Sequence, residues 1–169
     1  MSDKNPTAEE LAAARSEIET KLAPEVEKLS ALAHEKIIRR ALSEGWSQSQ
    51  AEWIDRLAQE PFIQAAIDGA PGVEALEGAY GRARRQLTVG YFDHALEQGK
   101  NLYTAFLTII DLEKQLAERR GEVPPDYPDS ILMQACDAVE LAAQRGLSSE
   151  DQIGAGFAVI RELAGNDLN

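Results

Sequence analysis

Three arginines in four positions, Arg82, Arg84 and Arg85, stand in the stretch YGRARRQLTVGYFDHALEQG (residues 80–99) of a chain that is strongly acidic. A guanidinium fork takes carboxylate or phosphate by two parallel hydrogen bonds, so a cluster of forks is binding chemistry rather than reaction chemistry. On a solvated helix a basic residue commonly finds an acid three or four positions away. Arg39 has Glu35, Arg40 has Glu44, and Arg56 has Glu52 and Glu60. Arg82, Arg84 and Arg85 have none; their neighbours at those offsets include Gly78, Tyr80, Leu87 and Thr88. The cluster therefore calls for a partner outside its own helix. The acid-rich residues 126–169, in the same chain or in a second copy, are the first candidate. Tyr80 lies beside the arginines, and tyrosine with arginine is the composition of an interaction hot spot. Tyr80, Arg82, Arg84 and Arg85 are the expected partner interface.

No other constellation promises catalysis. His94 has Asp93 beside it and Glu97 three residues on, but two ligands on one helix do not make a metal site. Neither His34 nor His94 follows a glutamate by three, as a di-iron bundle requires. Cys136 shares an apolar stripe with Leu132 and Val139, where a thiol is inert. There is no Gly-x-Ser-x-Gly elbow and no phosphate loop, and the glycines of GAPGVEALEGAYG follow no strand. The expectation is no enzyme, no cofactor and no metal.

These residues sit on helices. Thr7 and Glu10 fit a capping box for a helix from Thr7 to Leu22, and Pro24 begins a second one to Glu44, closed by Gly45. The pair reads as an N-terminal hairpin, residues 1–45, free to extend from the core as an oligomerisation or docking element. Residues 46–169 form the main bundle. Its first helix follows Trp46 and breaks or restarts at Pro61. The next runs from Pro71 to Gly99 on a stripe of Val73, Leu76, Tyr80, Ala83, Leu87 and Tyr91. Asn101 caps a strongly apolar helix that ends at Arg119-Arg120-Gly121. Two more follow the proline-rich EVPPDYPDS, the first opened by Pro128 and the second capped by Ser148 or Ser149. With no period-2 alternation anywhere, the chain is all-α, a single helical-bundle domain of six or seven helices. The segment GYFDHALE resembles the turn and second-helix start of a tetratricopeptide repeat, but Ala79, Arg82, Ala83 and Gln86 stand where that repeat carries its signature residues.

Charge bounds the partner. Twenty-nine acids against 17 bases give a net charge of −12, and residues 126–169 hold eight acids and two bases. Such a field repels phosphate, so direct nucleic-acid binding is not expected, whereas a basic or nucleic-acid-binding protein is a natural partner. A single cysteine forms no disulfide within the chain, the N-terminus lacks a signal-peptide pattern, and no apolar run approaches a membrane span. A cytoplasmic location follows as the expectation. The functional reading is a non-enzymatic protein-interaction module, a regulator, adaptor or inhibitor, with a homodimer possible in principle. Two alternatives stand beside it: an acidic decoy for a partner's nucleic-acid groove, and a small helical enzyme or ligand carrier with a pocket near His94, Tyr91 and Tyr103.

Overall fold

The computed structural model describes residues 6–166, and those residues form six α-helices and no strand. They are α1 (Ala8–Ser43), α2 (Gln48–Ile67), α3 (Gly72–Glu97), α4 (Leu102–Arg119), α5 (Asp129–Gln144) and α6 (Ser149–Asn166). The all-α expectation holds. The starts are capped as local chemistry dictates. Thr7 and Ser47 each close a reciprocal capping box, with Glu10 and Gln50 respectively, and the Asn101 side chain accepts from the Thr104 amide. Five glycines in the left-handed region, Gly45, Gly69, Gly99, Gly121 and Gly146, follow the ends of α1 to α5.

The expected N-terminal hairpin is not there. Its two segments are one 36-residue helix, α1, with Pro24 inside it. Proline deletes one backbone hydrogen bond, to the carbonyl of Thr20, and costs roughly 3 kcal/mol in a helix interior. Residues 6–25 are all exposed, so water satisfies the freed carbonyl, and no tight turn signal competes for the chain. Pro61 likewise lies within α2, where buried Ala58 and Phe62 hold the helix on the core from either side.

Two hydrophobic cores share α3. The first joins Ala33, Ile37 and Ala41 of α1 to Ile54, Ala58 and Phe62 of α2, to Ala79, Tyr80 and Ala83 of α3, and to Leu112 of α4. The second joins Phe92 and Ala95 at the other end of α3 to Phe106, Ile109 and Ile110 of α4, to Ala135 and Val139 of α5, and to Ile153 and Ile160 of α6. In the second core Gly156 is required by contact: a Cβ there would stand 2.6 Å from the Phe106 ring and 2.8 Å from Val139. Tyr91 packs against both cores. Because Gly90 and Tyr91 lie inside α3 rather than in a turn, the tetratricopeptide-like segment does not form a repeat.

Polar bonds lock the two halves together. Arg119 and Arg120, which by sequence would serve the end of their own helix, reach across to the end of α1. Arg119 Nη1 donates to the Gly45 carbonyl at 3.2 Å, and Arg120 Nη1 donates to the Glu44 carbonyl at 3.0 Å. At the far end, the Ser149 hydroxyl that begins α6 donates to the Asp93 carboxylate of α3 at 2.5 Å.

Candidate protein-interaction cleft

The four residues expected to act together at an interface point to different places. Tyr80 is 1 % exposed and belongs to the first core, so it is no surface hot spot. It lies on the apolar stripe of α3, and the tyrosine ring was needed there for packing. Its hydroxyl donates to both carboxylate oxygens of Glu44 at 3.0 Å, and the Arg40 guanidinium stacks 4.4 Å from its ring centre. Burial, and then the Glu44 charge, push the phenol far above its ordinary range, so it stays a donor. Arg84 Nη1 pairs with the same Glu44 carboxylate at 3.3 Å. Arg85 Nε pairs with Glu150 of α6 at 3.3 Å, which is the intrachain pairing with residues 126–169 anticipated for the cluster. Arg82 is exposed and forms no ion pair among the described residues; its Nε meets only the Gly78 carbonyl at 3.5 Å.

Arg84 and Arg85 instead stand on the wall of an open cleft of about 890 Å³ where the two cores meet. Its floor is apolar. Trp46 and Leu112 come from the first core, and Ile109, Ile153, Phe157 and Ile160 from the second. Its rim is charged in both signs, with Arg84, Arg85, Arg120 and Arg161 among Glu44, Glu113, Glu122 and Glu150. Three of those arginines already hold a rim glutamate, through Arg84–Glu44, Arg85–Glu150 and Arg120–Glu122. Arg161 forms no ion pair among the described residues.

Two features mark this cleft as more than a seam. The indole N–H of Trp46 is buried and has no hydrogen-bond partner, a state that costs on the order of 1–3 kcal/mol. Glu113 is exposed by surface area, yet its carboxyl is crowded by the cleft wall. Desolvation raises its pKa above the ordinary carboxylate value against the opposing pull of Arg120 and Arg84.

A second polar cluster links α1 to α2. His34 Nδ1 lies 2.7 Å from Asp55 Oδ2, and Gln59 Nε2 donates to Asp55 Oδ1 at 2.7 Å. Ser30 Oγ donates to Gln59 Oε1 at 2.9 Å. Asp55 is only 8 % exposed, and the cluster borders a shallower hollow of about 510 Å³ with Val26, Ala31 and Ile63. The Ser30 hydroxyl is turned to Gln59 rather than to His34, so the histidine activates no nucleophile here. The arrangement is a polar clamp between two helices.

Sequence reasoning did not find either assembly. The cleft draws its walls from segments more than 100 residues apart, which leaves no local spacing to read. Asp55 did leave a signal, because it stands among Ala51, Ile54, Ala58 and Phe62, the buried positions of α2. His94 is exposed. The core positions of that turn are Phe92 and Ala95, and His94 projects away from both. Neither hollow takes His94 or Tyr103 into its lining, while Tyr91 is occupied in bridging the cores. Cys136 is buried, and desolvation pushes its thiol up to about 11, which fits the inert role expected for it. Among the described residues no three histidine, cysteine or acidic side chains gather as a metal would need, and no helix is long and apolar enough to cross a membrane.

The fold and cleft define a six-helix, all-α bundle with an amphipathic groove between two sub-cores. Comparisons with protein-family models, curated proteins and solved structures find no match to this chain.

Proposed function

We propose that this protein is a non-enzymatic interaction module, of the regulator or adaptor kind, whose recognition surface is the cleft between the two cores. The observation that carries the proposal is the composition of that cleft, whose apolar lining is left partly uncovered at Val89, Leu116, Tyr127 and Phe157 beneath a rim that holds both arginine and glutamate. An amphipathic helix laid into a groove meets these demands together. Its apolar face covers the floor, and its flanking charges meet a rim of both signs. A surplus of acid elsewhere, −12 over the chain, favours a basic partner and discourages nucleic acid. A cytoplasmic location fits the single, unpaired cysteine.

The test uses Gly154, which lines the cleft from α6 and where a Cβ would meet nothing within 4 Å. Gly154→Trp sets an indole into the cleft from an exposed position of α6 where a Cβ has open space. Affinity capture from the native host with the wild-type chain and with Gly154→Trp should recover a protein in the first and lose it in the second. Identical protein recovery from both chains sinks the proposal.

A further inference from the structure

We infer that the cleft's occupant is the protruding N-terminal half of α1 from a second copy of this chain, an inference that rests on the cleft being a helix acceptor. Leu11, Ile18 and Leu22 follow one another at steps of seven and four residues, which places them on one helix face. They are 57, 56 and 41 % exposed. The same face continues seven residues on into Leu29, which packs against the first core. The chain thus carries an exposed apolar helix face and a cleft whose apolar lining is partly uncovered at Leu116, Tyr127 and Phe157.

A chain cannot satisfy its own cleft with this arm. Glu44, which lines the cleft, immediately follows α1. At 1.5 Å per residue, Leu22 lies about 33 Å from it along the helix and Leu11 about 50 Å. A second molecule has no such constraint. The sizes also agree. A helix about 10 Å across and half sunk displaces on the order of 40 Å³ per ångström of length, so 890 Å³ takes roughly 22 Å or about 15 residues. That is the span from Leu11 to Val26. Overall charge, −12 on each chain, opposes the pairing, and only Arg161, which has no ion-pair partner among the described residues, offers a local contact to the six acids of residues 8–28, so the pairing rests on apolar contact and should strengthen with added salt. Reciprocal exchange about a two-fold axis would close the pair, each arm entering the other copy's cleft.

Sedimentation equilibrium from micromolar to millimolar protein tests this. The wild-type chain should show twice the chain mass. Ile18→Glu combined with Leu22→Glu should halve it, and so should Gly154→Trp alone; all three positions are exposed, so both variants keep the fold. Mixing the two variants should restore a one-to-one complex, since one supplies an intact arm and the other an intact cleft. A monomeric wild type, a dimer that survives Gly154→Trp, or a mixture that stays monomeric overturns the inference. The broader reading is scored separately: a foreign protein captured by the Ile18→Glu, Leu22→Glu chain and lost on adding Gly154→Trp keeps the cleft as a helix acceptor even where the arm fails.

Discussion

Gln50 donates through Nε2 to the hydroxyl of Tyr91 at 3.0 Å, joining the start of α2 to the residue of α3 that touches both cores. The other end of the same amide does more. Gln50 Oε1 accepts from the Ser47 backbone amide at 2.9 Å, completing the capping box, and from Arg119 Nη1 at 3.0 Å. One side chain thereby ties a helix cap, the end of α4 and the middle of α3. Gln50→Ala should lower unfolding free energy by about 2 kcal/mol, a lost cap added to a charge-assisted hydrogen bond. Tyr91→Phe should cost about 1 kcal/mol. Urea titrations of the two single variants and the double variant check this, and the double should cost less than the sum because both remove the same bond.

The raised pKa of Glu113 gives a pH dependence of definite sign. In the unfolded chain the carboxyl titrates near its ordinary 4.5, whereas in the fold it holds its proton to higher pH. The folded state therefore binds more protons in the window between those two values, and stability falls as pH rises through it. Below pH 4.5 the contribution is intact, and it is lost as pH rises through the raised folded-state value. Glu113→Gln, which mimics the protonated form, should be more stable than wild type at neutral pH and equal to it in acid. Thermal melts at matched pH values measure the difference, and a variant less stable at pH 7 would contradict the desolvated setting of the carboxyl.

Much of the helix layout was legible because its signals are local. Capping boxes at Thr7 and the glycine closures at Gly45, Gly99, Gly121 and Gly146 mark ends whatever the rest of the chain does. The prolines were misleading for the opposite reason. A sequence shows that Pro24 and Pro61 weaken a helix, but not that solvent around one and core packing beside the other carry it through. The arginine cluster was half legible. The absence of acids within its own helix foretold pairing elsewhere, as Arg85 with Glu150 confirms, but three consecutive directions around a helix send Arg82, Arg84 and Arg85 to three environments. Tyr80 neighbours the arginines in sequence, which placed it with them in the expected interface, but its position on the apolar stripe puts it inside. Trp46, Glu113, Arg161 and Phe157 meet only in three dimensions, and no spacing rule could join them.

The clamp of His34, Asp55 and Gln59 should matter mainly through Asp55. That carboxylate is buried and has both oxygens occupied, one by His34 and one by Gln59. Asp55→Ala should cost about 2 kcal/mol, since it strands the Gln59 amide and leaves a gap between α1 and α2. His34 has a side chain that is 58 % exposed, so its pairing is partly screened and His34→Ala should cost no more than about 1 kcal/mol. A double-mutant cycle should return a coupling of roughly 0.5–1 kcal/mol between them. A larger loss from His34→Ala than from Asp55→Ala would mean that the histidine, rather than the buried acid, organises the clamp.

Two glycines offer opposite outcomes from the same substitution. Gly45 has φ of +94°, and a Cβ there would collide with the Leu116 carbonyl of α4. The left-handed backbone alone costs an alanine roughly 1–2 kcal/mol, and the collision is with main chain of α4, while Arg119 and Arg120 hold the Gly45 and Glu44 carbonyls on the other side of the contact. Gly45→Ala should therefore lose about 3 kcal/mol. Gly154 is an exposed residue inside α6 with open space around its Cβ position. Gly154→Ala should gain about 0.5–1 kcal/mol by helix propensity. Urea midpoints moving in opposite directions are the expected result. A loss at Gly154 would mean that the cleft wall is tighter than described and that Gly154→Trp could not serve as a benign plug, whereas a gain makes the plugged chain a fair control for both the capture and the sedimentation experiments.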